Sequence, residues 1–293
     1  MAVVSNTTTT ANFSITAKEI DFATRFENTW AALQEIVGIM RPVRKAAGTR
    51  IVASKAQVTL QNGTVAEGDE IPLSQATVVP ATYADVDFKK YRKRVTVESV
   101  DRYGAAIAVQ KTDDALLNEI TGSIMDEFYE FALTGTLTDT VDTFQMAVAM
   151  AVTKAKDKFK KSHLNYGSIV AIVNTLDVGE YLGTAPISMQ TRNGFEYFKD
   201  FLGANVVLVS SEIPRGKVIA TPVDNIVLYY VDPSESDFAQ LGLVYTTSGN
   251  PTSLIGVHKE GVYERASGDT HAIVAMTLFA EYIDAIAVVT FGA

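Results

Sequence analysis

The groups of this chain that could do chemistry are three pairs of adjacent carboxylates, three histidines and one basic run. The acids are Asp69/Glu70, Asp113/Asp114 and Asp126/Glu127. Paired carboxylates can divide general-acid and general-base work when their surroundings push their pKa values apart. Asp113/Asp114 and Asp126/Glu127 fall in a predicted helix, where a solvated face accounts for them. Asp69/Glu70 fall at a predicted hairpin tip, where charge serves solubility or contact with another subunit. His163, His258 and His271 form neither H-x-x-x-H nor H-E-x-x-H, the spacings that aim two imidazoles at one metal. No metal site is expected. The chain has no Cys, which removes thiolate nucleophiles, disulfides and Cys-based zinc or iron–sulfur sites together. G-x-S-x-G, G-x-x-x-x-G-K-[ST] and G-x-G-x-x-G are all missing. The esterase elbow and the two glycine-rich phosphate cradles therefore have no counterpart here. No catalytic residue and no cofactor is expected, and an enzyme working through an acidic pair ranks last among the hypotheses.

The strongest local charge signal is the run Lys89, Lys90, Arg92, Lys93 and Arg94. It can be the solvated face of a long strand, or meet an acidic surface of a neighbouring subunit. A nucleic-acid patch ranks third, because Tyr91 is the one aromatic residue interleaved and single-strand grooves offer several stacking rings. Trp30 is either an anchor in a partner's pocket or an ordinary core residue.

The elements that must position these groups can be read from periodicity. Residues 1–20 are polar and β-branched, and read as an arm that orders on contact. Phe22, Phe26, Trp30, Leu33, Val37 and Met40 recur at helical steps, and Pro42 ends that helix. Arg50–Leu60 reads as a strand, Asn62–Gly63 as a turn, and Ala76 to Val100 as a second extended stretch. This block has few large apolar residues for its length. A two-stranded hairpin is marginal alone in water, so its stability must come from packing elsewhere. Thr112, then Asp113 and Asp114, read as a helix start. Leu116, Leu117, Ile120, Ile124, Phe128 and Phe131 form its stripe, and Gly135 is its stop. A second helix spans Asp142 to Lys161. Beyond Tyr166 short strands and helices alternate: strands at Ser168–Val173, Asn205–Ser210, Lys217–Thr221 and Asn225–Val231, a helix at Thr175–Leu182 and a loop from Pro233 to Phe238. The C-terminal parts 255–264 and 271–291 read as strands.

Composition bounds the classes. The 293 residues are 47% hydrophobic, enough for a packed core. The net charge is -9, and the acid concentrates in residues 101–138 and 163–293. A chain that reads nucleic acid normally shows a basic footprint. None exists globally, so sequence-specific DNA or RNA binding is not expected. The longest apolar runs, such as Ala285–Phe291, fall far short of the ~18 residues of a membrane span, and no membrane partner is expected. Met1 to Ala11, Thr-rich and uncharged, does not have the form of a signal peptide.

The order of parts carries a resemblance. The segment Val65–Ser74, VAEGDEIPLS, is similar to the extended-loop segment of the HK97-like major capsid proteins of tailed bacteriophages. Asp113–Leu133 resembles their spine helix. Gly203–Val207, Ile213–Lys217 and Asn225–Tyr229 are similar to the pattern of their axial domain. The resemblance implies an α+β HK97-like fold. Its parts would be an N-terminal arm and short helix (1–48), an extended-loop hairpin with a peripheral-domain strand (49–100), and the spine helix (101–138). An axial domain (139–254) and returning C-terminal strands (255–293) would follow. It implies a shell subunit that assembles with itself as pentamers and hexamers around double-stranded DNA, in the bacterial host cytoplasm. A portal and a separate scaffolding protein are implied partners, since about twenty residues precede the first helix. The intersubunit candidates are Trp30, Lys55, Glu67, Asp69, Glu70, Lys89, Lys90, Arg92, Lys93 and Arg94. Some members cross-link Lys to Asn, and Lys55 is the candidate donor here, with no Asn in a matching motif. Encapsulin shells share the fold and are the alternative.

Overall fold

The run Ile169–Asn174, IVAIVN, is apolar at almost every position, and a strand of that kind is buried on both faces. The computed structural model bears this out. It describes residues 36, 38–46, 51–66, 70–84, 86–183, 190–192, 195–247 and 254–292. The strands are β1 (Arg41–Lys45), β2 (Ile51–Thr59), β3 (Gln75–Ala84), β4 (Asp87–Thr96), β5 (Leu137–Val141), β6 (Ile169–Asn174) and β7 (Gln190–Arg192). They continue as β8 (Phe195–Phe201), β9 (Ala204–Ser210), β10 (Lys217–Pro222), β11 (Ile226–Val231), β12 (Ile255–Val262), β13 (Ser267–Ala280) and β14 (Ala287–Phe291). The helices are α1 (Val97–Tyr103), α2 (Thr112–Leu133), α3 (Phe144–Lys161), α4 (Thr175–Leu182) and α5 (Ser236–Gln240).

A seven-stranded mixed sheet runs β5-β14-β10-β6-β9-β8-β7. Alternate residues of β6 enter two different cores, as the period-2 pleat requires. Ile169, Ala171 and Val173 face α3 through Ala147, Val148, Ala151 and Val152. Val170 and Ile172 face the core built on α2 with Ile120, Ile124 and Phe128. That second core is shared with a five-stranded sheet through Leu228, Ile255, Val274 and Met276. The long helix α2 is thus the common packing element of both sheets. In the five-stranded sheet, β13 is the axis. Its residues Ser267–Met276 pair with β4 along one edge. The other edge takes β12 first and then β11, with β1 parallel beyond it.

Several expectations shift. Thr112 is no N-cap: the chain already turns as a π-helix over Ala106–Lys111 and runs into α2, and the Thr112 hydroxyl donates to the Ala108 carbonyl at 2.7 Å. The extended stretch expected to reach Val100 ends at Thr96, whose hydroxyl caps α1 by accepting from the Ser99 amide. Asn62–Gly63, expected as a turn, lies in the connection between β2 and β3, where Asn62 Oδ1 accepts from the Thr64 amide at 3.0 Å and turns the chain locally. The loop expected over Pro233–Phe238 contains the start of α5. The helix expected from Asp142 begins at Phe144, capped by Thr143. The helix expected from Phe22 falls largely outside the described residues, and Pro42 lies in β1.

Candidate intersubunit surfaces

The hairpin β2–β3 forms a sheet of its own, with a register shift between Val52 and Ser54. Its outer half carries apolar side chains in water: Val58, Leu60, Ile71 and Val78 are 59%, 79%, 69% and 66% exposed, and Leu73 is 92% exposed. Single exposed apolar residues are ordinary, but a cluster on one projecting ribbon marks an interaction surface. Glu70 is exposed at the end of this ribbon. Lys55 occupies a β2 position opposite Val79. Glu67, Asp69 and Trp30 lie outside the described residues.

The basic strand β4 divides by parity. Residues 89, 91, 93 and 95 face α2. Tyr91 packs on the α2 core, Lys89 pairs with Glu127, and Lys93 Nζ lies 2.5 Å from Asp113 Oδ1. Lys259 of β12 reaches the same carboxylate at 2.6 Å and Thr270 of β13 donates to it at 2.8 Å. Lys93, Thr270 and Lys259 are an in-register row across three strands, so one acid near the start of α2 ties the helix to three strands at once. Asp113 is therefore buried, at 5% exposure, where a solvated face was expected. Burial alone would raise its pKa. The hydrogen bonds from Lys259, Lys93 and Thr270 outweigh that and hold it below the usual range. Burial lowers Lys93 in turn, against the pull of Asp113.

The other face of β4 carries Lys90, Arg92 and Arg94. Arg94 and Arg92 both grip Asp269 of β13, whose side chain has no exposed surface. The hydrogen bond from Arg94 leads the causes that hold Asp269 down to about 2, with the bond from Arg92 adding to it against the cost of burial. Beside it, His271 Nε2 and Glu260 Oε1 are 3.0 Å apart, and His258 stands across the ladder from His271. Glu260, Asp269 and His271 bring ligand-type atoms within 4.8 Å of one another. The two guanidiniums already take both oxygens of Asp269, so the arrangement is an ion-pair lattice. The basic run thus meets acids of its own chain at Lys89, Arg92, Lys93 and Arg94, while Lys90 is exposed. Sequence reasoning passed over Asp269 and Lys259, which lie more than 160 residues from β4. Every charged residue from Lys89 to Arg94 is basic on both faces of the strand, so charge gave no local sign of the division.

Around the seven-stranded sheet, an open cavity of about 800 Å³ lies between the ends of β10 and β14 and α4. Asp177 closes one side, accepting from the Gly216 amide at 2.7 Å and from Arg215 Nε at 3.1 Å. No nucleophile–base pair lines it. Among the described residues, no helix is long and apolar enough to cross a membrane.

No protein-family model matches the chain, and no curated protein sequence matches it. Solved structures do. The capsid of cyanophage P-SCSP1u superposes with a TM-score of 0.62 at 10% identity, over 99% of this chain and 96% of that one. The mature capsid of bacteriophage PhiM1 gives 0.61 at 9% identity, over 95% and 91%. The SrpI encapsulin of Synechococcus elongatus gives 0.53 at 13% identity, over 95% and 91%. At these identities the likeness is one of fold, and it runs nearly end to end: the chain shares the mixed helix-and-sheet fold of these capsid and encapsulin structures.

Proposed function

We propose that this protein is the major capsid protein of a tailed bacteriophage, a non-catalytic subunit that assembles with itself as pentamers and hexamers into an icosahedral shell around double-stranded DNA. The observation that carries this is the β2–β3 ribbon: a two-stranded sheet with Val58 and Val78 in water, and Leu60, Ile71 and Leu73 in water on the connection between its strands. Such a ribbon gains its burial on another subunit. In this reading the β2–β3 ribbon is the extended loop, and α2 with the five-stranded sheet is the peripheral domain. The seven-stranded sheet with α3 is the axial domain. The acidic balance suits a container that holds DNA without adsorbing it, since each phosphate contact would add salt-dependent affinity. A separate scaffolding protein and a portal are the further partners, and assembly takes place in the host cytoplasm.

The likeness to the SrpI encapsulin supports a second reading, a compartment shell that encloses proteins. Electron microscopy of the expressed chain, alone and with a co-expressed scaffold, tests the common ground: closed particles support a shell, and their absence under both conditions overturns it. Nucleic acid in native particles then favours the first reading, and packaged enzyme the second. The triple variant Leu60→Ser, Ile71→Ser, Leu73→Ser should keep the subunit folded and abolish particles. Intact particles would remove the ribbon from the contact.

A further inference from the structure

We propose that Tyr263 is a knob that seats in a glycine-made notch on a second copy of this chain. The inference takes the presence of neighbouring copies from the shell reading and adds the residues through which two copies meet.

The notch follows from register. Val95, Gly268 and Gly261 form one row across β4, β13 and β12. It continues the helix-facing rows Tyr91–Ala272–Val257 and Lys93–Thr270–Lys259. The last of these lies under Asp113, so the glycine row comes next outward along the sheet. Two opposed glycines leave a sheet face without side chains. Among the described residues a Cβ built on Gly261 or Gly268 meets nothing within 4 Å, and neither glycine has a positive φ. Val97 and Val100 of α1, with Val109, wall the gap into a largely apolar cavity of about 380 Å³. Val97 on its lip is 56% exposed. Nothing local forces glycine at 261 and 268: the backbone does not need it, and among the described residues no intrachain neighbour fills the space.

The knob sits two residues from Gly261. Tyr263 opens the 3-10 turn joining β12 to β13 and is 98% exposed. A tyrosine can bury 150–250 Å² (about the span for aromatic side chains) at the cost of two torsions, and such side chains dominate interface energetics when they enter a pocket. At 98% exposure it does not fill its own notch. The charges around knob and notch are complementary. Glu264 and Arg265 follow Tyr263 on the tip, while Glu98, Asp101 and Arg102 stand exposed on α1. Arg265 can meet the acids and Glu264 the arginine. Knob and notch share one end of the molecule, so a two-fold pair would make the exchange reciprocal and a ring would make it head to tail. Both arrangements fill every notch.

The absence of Cys makes the contact directly readable. Subunits carrying Glu264→Cys, beside the knob, are mixed with subunits carrying Glu98→Cys, beside the notch, and treated with a short bis-maleimide, so that Tyr263, Gly261 and Gly268 stay in place. A heterodimer joined through 264 and 98 is expected; homodimers alone, or no cross-link, overturn the proposal. In parallel, Tyr263→Ala and Gly268→Val, with folding checked by circular dichroism, should each raise the concentration for half-maximal particle formation at least ~10-fold. The double variant should do no worse than the weaker single one, because both remove the same contact. Wild-type-like assembly of Tyr263→Ala, or additive losses, would also overturn it. Cross-linking without particles would sink the shell reading and leave this contact standing. Particles without cross-linking would do the reverse.

Discussion

Arg94 stands directly opposite Asp269 on the neighbouring strand and holds both oxygens of its carboxylate, Nε on Oδ1 at 2.6 Å and Nη2 on Oδ2 at 2.7 Å. Arg92, two residues back along β4 on the same face, adds its Nε to Oδ2 at 2.6 Å. A carboxylate with no exposed side-chain surface is tolerable in such a place only because its charge and its lone pairs are both met. The pairing also pins the β4–β13 register, since a one-residue slip would turn both arginines to the helix side.

Removing that carboxylate should therefore cost the subunit itself. Truncating one partner of a buried pair leaves the other charge uncompensated, at about 3–5 kcal/mol. Arg92 is half exposed and can turn to water, whereas the Arg94 side chain is only 11% exposed. Urea unfolding of unassembled Asp269→Ala should show a loss near the lower end, about 3 kcal/mol. A loss below about 1 kcal/mol would put the pair in the class of exposed surface bridges.

The same site sets an acid limit. The folded-state pKa of Asp269 is held down to about 2, and that of Asp113 is lowered as well, against an unfolded value of about 3.9. A carboxylate depressed in the folded state contributes stability that is fully present above the unfolded value and is lost as pH falls through the folded one. Subunit stability should thus be flat in these two groups above about pH 5 and decline between about pH 4 and 2. Asp269→Asn, compared across that range by thermal melts, should lower stability at neutral pH and flatten the acid decline. An unchanged acid slope would show that other carboxylates set it.

Much of the frame was legible in the chain because it is written in local period. The helix Thr175–Leu182 matches its expected bounds, and Lys217–Thr221 and Asn205–Ser210 differ from theirs by a residue. The unsupported ribbon was legible from its shortage of large apolar residues. Errors came where tertiary contact decides. Asp113 looked like a solvated N-terminal acid because Lys93 and Lys259, its partners, are 20 and 146 residues away and meet only in the sheet. The extended stretch was carried too far because Val97 and Val100 suit a strand as well as a helix, and the Thr96 cap decides between them. The glycine row could not be read at all: its meaning depends on Gly261 and Gly268 being opposed across a ladder.

Two glycines give a matched test of packing. A Cβ on Gly135, just past α2, would lie 2.6 Å from the Ile286 carbonyl oxygen and 2.7 Å from its Cγ2. Backbone is involved and Ile286 is fully buried, so neither side can yield without cost. Overpacking of this kind costs about 1–3 kcal/mol. Gly135→Ala should lose about 2 kcal/mol in denaturant unfolding, while Gly63→Ala, with nothing within 4 Å of its Cβ, should be neutral. Equal effects would show that the approach at Gly135 relaxes freely.

The basic strand can be tested for intersubunit contact only at a residue whose change leaves the fold alone. Charge reversal at Arg94 would set a second acid against the buried Asp269 carboxylate and destabilise the subunit, so its effect on assembly would be uninformative. Lys90 is exposed and lies on the same face. If that face meets an acidic surface of a neighbour, Lys90→Glu should leave subunit melting unchanged and weaken assembly, more at low salt than at high. Screening shortens the reach of such charges to about 10 Å at 0.1 M and about 3 Å at 1 M. A single exposed pair is worth about 0–1 kcal/mol, but a closed shell repeats it in every subunit, so a small term becomes measurable as a shift in the concentration at which particles appear. Assembly of Lys90→Glu that tracks wild type at every ionic strength would take this face out of the interface.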